Sequence, residues 1–413
     1  MCIHEKIIAD IQCAMELLIN YLHSAYPKQP LMLAAQRFTA LDVFRGMTIC
    51  FMIIVNTPGN GATSFSPLMH AHWHGFTPTD LVFPSFLFAV GNAMSFVIPK
   101  WQTQTQAAVL GKIFKRTLII FLLGYLMYWF PFVKLDANNH IIAFPIAETR
   151  ILGVLQRIAL CYGIASLLIY YLKPKAALMV SILLLFLYWI ILYWFGDTGN
   201  ELTITGNAGI KLDKWLMGEA HMYHGEGIAF DPEGWLGTLP AIGNVMAGFA
   251  VGSFLQQKAS PNATTGQGKT YEGLTKLLLT GALLLFIAYC WNFFLPVNKK
   301  LWTSSFVLLT VGLDCIILSG IIYITEFLKK TSWTPFFEVF GKNPLFIYLL
   351  SEIGVIILYV IHIGNVPLYV WLYKNIFALS GAYTGSLLFA ISWMLFCWCI
   401  GYILNKKKIY VRV

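Results

Sequence analysis

ILGVLQRIALCYGIASLLIYYLKPKAALMVSILLLFLYWIILYWFG, residues 151–196, contains two apolar runs, 151–172 and 176–196, on either side of Lys173-Pro174-Lys175. Each run holds about 20 residues, enough to cross roughly 30 Å of hydrocarbon as an α-helix. The lysines between them belong at a water-facing boundary, so the segment reads as two membrane crossings. The same criterion finds further runs near 41–57, 79–99, 116–133, 235–256, 272–295, 303–325, 343–362 and 383–404. The expectation is an all-α integral membrane protein with about ten transmembrane helices in one bundle. The runs at 41–57 and 116–133 are short and read as tilted neighbours of a re-entrant loop.

Composition agrees with lipid as the solvent. Of 413 residues, 58% are hydrophobic and 11% charged, with a mean hydropathy of +0.68. A soluble chain is closer to about half apolar and a quarter charged. The net charge of +9 comes from short Lys/Arg clusters between apolar runs, which are topology signals and argue against a nucleic-acid partner. Six of the eight cysteines (Cys50, Cys161, Cys290, Cys315, Cys397 and Cys399) fall in apolar runs, with neither a disulfide framework nor a zinc pattern.

With the N-terminus inside, Arg45, Lys100, Lys112, Lys115, Arg116, Lys173, Lys175 and the cluster at Lys406–Lys408 fall on one face. The opposite face keeps Lys134, Arg150, Lys211, Lys214, Lys299, Lys300 and Lys374. This asymmetry places both termini in the cytoplasm and the chain as a multi-pass protein of the inner (cytoplasmic) membrane. Residues 1–36 read as an N-terminal cytoplasmic segment, with Ile7–Leu22 as a surface helix or as part of an over-long start. Residues 37–413 form the membrane domain. Asn262-Ala263-Thr264 matches a glycosylation acceptor but falls on the cytoplasmic face. Residues 58–78 and 197–234 lie outside, rich in His, Gly, Trp and acidic residues.

The chemistry concentrates in NTPGNGATSFSPLMHAHWHGFTPTDLVFP, residues 56–84. His70, His72 and His74 alternate around Trp73 just before a helix, and histidine is the side chain suited to proton transfer near neutrality. A polar interfacial loop accounts for the same spacing. A metal site would need a carboxylate or cysteine that does not complete a familiar set, and no metal is expected. Thr77-Pro78-Thr79-Asp80 reads as a capping box, and Asp80 can also orient an imidazole. Within the membrane, Asp42 and Arg45 form either a local pair or an anion site at the cytoplasmic end. Gln156 and Arg157 face the bundle interior, as does Asp314, which has no partner nameable from sequence. Asp231 and Glu233, in Phe230-Asp231-Pro232-Glu233-Gly234-Trp235, suit a sugar bearing hydroxyls and an ammonium, or equally any helix start.

These segments resemble the family of the heparan-α-glucosaminide N-acetyltransferase. The resemblance rests on LDVFRG (41–46), VN (55–56), HAHWHGFTPTDLVFP (70–84), RILGVLQRIALCY (150–162), FDPEGWLGTLPAIG (230–243), KKLWTSSF (299–306) and GKNPLFIY (341–348). It departs from the family at His72 and His74, and it suggests a bacterial-type relative without the lumenal N-terminal domain of the animal enzymes. It implies transfer of acetyl from cytoplasmic acetyl-CoA to the amine of an amino sugar or glucosamine-terminated glycan on the outer face, and a homodimer. The family's active histidine falls on His70 and its neighbouring asparagine on Asn56, with Asp80 as orienter. The acceptor would meet Trp73, His74, Arg150, Asp231, Glu233, Lys299 and Trp302. Acetyl-CoA would meet Arg45, Gln156, Arg157, Lys342 and Asn343. Direct transfer and an acetyl-histidine route both remain open. The rival classes are an amino-sugar or oligosaccharide transporter and an O-acetyltransferase of an envelope glycan.

Overall fold

The computed structural model describes residues 39–135, 141–258 and 268–411. The expectations for residues 1–36 and for Asn262 lie outside them. The main helices are α1 (Thr39–Asn56), α2 (Val82–Val97), α3 (Gln106–Trp129), α4 (Val154–Phe195), α5 (Ala208–Met217), α6 (Thr238–Lys258), α7 (Gly268–Asn292), α8 (Ser304–Ile322), α9 (Thr334–Lys342), α10 (Pro344–Val360), α11 (Leu368–Leu372) and α12 (Ala382–Lys406). Two small antiparallel hairpins, Val133–Leu135 with Ile141–Ala143 and His362–Ile363 with Val366–Pro367, lie in the connections.

Among the described residues, seven helices are long and apolar enough to cross a membrane, or eight if the bent pair α9–α10 is one span. The expected ten is not reached on this measure for two physical reasons. The 42-residue stretch α4 is two helices that meet at Lys173, whose φ of 63° and ψ of 160° break the helical backbone, and it is counted once. Helix α3 carries Lys112, Lys115 and Arg116 in its first half, which dilutes its apolarity. Every one of the ten apolar runs falls on a helix.

Close helix crossings depend on glycine, as is usual where apolar helices pack within lipid. A Cβ on Gly91 of α2 would lie 1.9 Å from the Val245 carbonyl oxygen of α6, and one on Gly248 would lie 2.0 Å from that of Phe88. Gly46 of α1 and Gly341 of α9 are equally tight, at 1.9 Å from Phe337 O and 2.2 Å from Asp42 O. Asn343, at the 82° corner between α9 and α10, donates to Ile409 O (3.0 Å) and accepts from Val411 N (2.9 Å).

One end of the bundle gathers the long connections. Gly75 N bonds Val297 O at 2.9 Å, Ile151 N bonds His221 O at 3.2 Å and Gly59 N bonds Ser386 O at 3.1 Å. Trp73 donates from its indole to Leu202 O at 2.8 Å and packs edge-on against Phe230. Gly75, at φ +114°, takes a backbone conformation that a side chain would strain. It turns the histidine loop onto the 293–303 connection.

Candidate active site

The histidine loop ends in the cap of α2. A 3₁₀ turn, Pro78–Leu81, precedes the helix, with the Thr77/Asp80 capping box in place. Asp80 is fully buried. Its Oδ2 accepts from Thr77 N (3.0 Å), Thr77 Oγ1 (3.1 Å) and Ala71 N (3.2 Å), and its Oδ1 meets His70 Nδ1 at 2.7 Å. One carboxylate therefore caps the helix and orients the imidazole at once. An ionised Asp80 accepts a hydrogen bond from Nδ1–H, which leaves the lone pair of His70 on Nε2. The His70 side chain is 43% exposed, so solvent and a substrate reach it.

Lys299 approaches from the 293–303 connection, with Nζ 3.0 Å from His70 Nε2 and 3.1 Å from Nδ1. Burial pushes its ammonium below the usual lysine range, against the pull of Glu233 and Asp80. His74 lies 3.5 Å from Asn298 Nδ2, and burial lowers its pKa. Lys300 turns away, bonding Glu226 Oε2 at 2.6 Å and His72 O at 2.9 Å.

A second cluster is built around Arg150. Its Nε and Nη2 donate to Asp231 (3.0 and 2.7 Å), and Nη2 also donates to Glu233 at 2.6 Å. The guanidinium lies over the rings of Tyr128 and Tyr223 at 5.0 and 4.7 Å. Such a fork suits carboxylates better than a lysine would. Burial would raise Glu233, but Arg150, Arg157 and Lys299 outweigh it and hold the carboxyl below its ordinary range. Arg157 is buried, donates to Gly234 O at 2.9 Å and lies 4.9 Å over Trp302. Trp302 is itself fully buried, with its indole donating to Asn244 Oδ1 at 3.1 Å, so it forms a wall behind the site. Trp73, tied to Leu202 and Phe230, holds the connections at this end together.

Asn56, at the end of α1, donates to Glu352 Oε1 at 3.2 Å, so its bonded partner is this carboxylate on α10. The five residues expected around the donor divide between two places. Arg45, about 16 Å along α1 from Asn56, donates to Gly341 O at 3.0 Å and meets Asp42 at 3.5 Å. Lys342 pairs with Glu338 at 3.3 Å, and Asn343 holds the Ile409–Val411 strap. Gln156 and Arg157 sit instead toward the His70 end. Neither polar atom of the buried Gln156 amide has a hydrogen-bond partner among the described residues, nor do Nε and Nη1 of Arg157.

Several participants escaped the sequence reading. Glu352, a carboxylate in an apolar run, carried a usable signal. Asp213 on α5 did not. It is buried and accepts from Trp235 N at 2.9 Å, and burial pushes its carboxyl up to about 7. Ser85 Oγ supplies the partner of Asp314, at 2.5 Å. Among the described residues no group of three or more His, Cys, Asp and Glu is placed to hold a metal.

Fold and site together define a polytopic helical membrane protein with a histidine–carboxylate pair and a buried arginine–carboxylate cluster at one end. The profile of the family "Heparan-alpha-glucosaminide N-acetyltransferase, catalytic" matches residues 37–294, and the chain belongs to this family. It is similar to the heparan-alpha-glucosaminide N-acetyltransferase of Mus musculus, 25% identical over 92% of this chain and 61% of that protein. It is similar also to that of Homo sapiens, 26% identical over 91% of this chain and 60% of that protein. The chain thus spans about three fifths of the length of these relatives.

Proposed function

We propose that the chain is a transmembrane acetyltransferase that moves acetyl from cytoplasmic acetyl-CoA to the amine of a glucosamine-type sugar on the outer face. The observation that carries this reading is the 2.7 Å contact between His70 and buried Asp80. It leaves Nε2 as the basic atom at an accessible end of the bundle. The names of the two curated relatives, which state N-acetylation of glucosamine, supply the reaction class. Ten crossings with both termini cytoplasmic follow if α4 counts as two spans, α3 as one and α9–α10 as one, with the His70 end outside.

In this reading Nε2 of His70 takes the proton of the attacking amine while Asp80 holds the ring and stabilises its cation. Asn56 keeps a second amide N–H for the oxygen that gains charge, an interaction worth about 2.7–4 kcal/mol where measured by mutation. Arg150 fixes Asp231 and Glu233 beside the amine's approach. For the donor, the orphaned groups of Gln156 and Arg157 suit the amides of a pantetheine arm. At the opposite mouth Arg45 and Lys342 are each held by a carboxylate, and a nucleotide phosphate must draw them away.

The test is transfer from radiolabelled acetyl-CoA to glucosamine by purified protein in detergent, with His70→Ala compared at matched folding. The expected result is label on the sugar amine, reduced about 10²–10⁴-fold in the variant. Label recovered as an ester moves the acceptor to a hydroxyl. Sugar binding or uptake without any transfer overturns the reading in favour of a transporter.

A further inference from the structure

Lys299 presents a primary amine to the same face of His70 that a sugar amine must reach. Its Nζ is 3.0 Å from Nε2, on a ring whose Nδ1 is committed to Asp80 at 2.7 Å. Because Nζ is also 3.1 Å from Nδ1, the amine lies over the imidazole ring, and a small shift toward the ring edge sets it on the Nε2 lone pair, the arrangement that bimolecular acyl transfer must otherwise assemble. The neighbouring Lys300 differs in every relevant respect. Its ammonium is ion-paired with Glu226 at 2.6 Å and tied to the His72 carbonyl at 2.9 Å.

We propose that Lys299 is an internal acetyl acceptor, taking an acetyl group on Nζ from a thioester donor when no sugar amine occupies the site. The proposal rests on the acetyltransferase reading above. The amine attacks the thioester carbonyl carbon, the C–S bond breaks and an amide C–N bond forms. The amine's proton passes to His70 Nε2, and the leaving sulfur gains a proton to become the free thiol. No oxidant or reductant is required. Burial of Lys299 favours the neutral, nucleophilic amine. The modified side chain is uncharged and bears an acetamide in the acceptor's place, so the protein is slowed when amino sugar is scarce.

The experiment incubates the full-length protein with isotopically labelled acetyl-CoA, with and without glucosamine, and reads the acetylation of Lys299 and Lys300 by mass spectrometry of the peptide containing both. The expected result without sugar is label on Lys299 at least about tenfold above Lys300. Glucosamine should suppress it, and His70→Ala at matched folding should slow it by about 100-fold or more. Lys299→Arg should remove the label from the peptide. Equal labelling of both lysines that persists in His70→Ala marks uncatalysed reaction with the thioester and overturns the proposal. An unlabelled Lys299 in protein that acetylates glucosamine overturns this proposal alone, and absence of both labels overturns it together with the acetyltransferase reading.

Discussion

The two ends of the bundle hold their charges in different ways. At the His70 end the pairs join distant parts of the chain: Arg150 reaches 81 and 83 residues to Asp231 and Glu233, Lys300 reaches 74 to Glu226, and Lys299 reaches 229 to His70. At the other end Arg45 pairs with Asp42 three residues away and Lys342 with Glu338 four away. Arg45 also donates to the Gly341 carbonyl. Pairs within one helix turn form wherever the helix forms and constrain little else. Pairs between distant segments exist only when the whole bundle is assembled, so the charges around His70 report and enforce tertiary structure.

Arg150→Ala tests this contrast most severely. It strands Asp231 and Glu233 in a buried site, and the expected loss of stability is about 3–5 kcal/mol, read as a lowered unfolding midpoint in detergent. A loss no larger than that from a surface pair would remove the distinction between the ends.

An effect smaller at any single step of pH is expected from Asp213, whose carboxyl burial pushes up to about 7 in the folded protein against an ordinary value of 3.8. A raised pKa means that the folded state binds the proton more tightly. Its stabilisation is therefore full below about pH 4 and is lost as pH rises through about 7, with a slope of up to about 1.4 kcal/mol per pH unit. Asp213→Asn keeps an acceptor for Trp235 N and should flatten that portion of a melting-temperature profile. An unchanged profile would show that another group sets it.

The smallest effect belongs to the opposite end. Lys342→Ala breaks a partly exposed i,i+4 pair and should shift stability by no more than about 0.5 kcal/mol. A loss of several kcal/mol would show that the local pairs there are also structural.

The same contrast explains what could be read in the sequence. All ten apolar runs lie on helices, because crossing lipid imposes a length and composition that each segment carries by itself. The Thr77/Asp80 cap was legible for the same reason. The start of α3 fell ten residues before the expected 116, since Gln106–Lys115 is helical without being uniformly apolar. Helix α9 was missed because it is short and amphipathic. The sequence reading selected His70, Asp80, Arg150, Asp231, Glu233 and Lys299 for the site and set Asp80 beside His70 as its orienter, but it did not give the other partnerships. That Lys299 meets His70, or that Asn56 meets Glu352, depends on packing between segments hundreds of residues apart, which no local period encodes.

Asn343 sets an order on biosynthesis. The corner it occupies leaves the ribosome 66 residues ahead of Ile409, to which it donates. At 5–20 residues per second that interval is about 3–13 s. During it the elbow between α9 and α10 must wait in the membrane without its strap. Only the arrival of the Ile409–Val411 segment closes that corner.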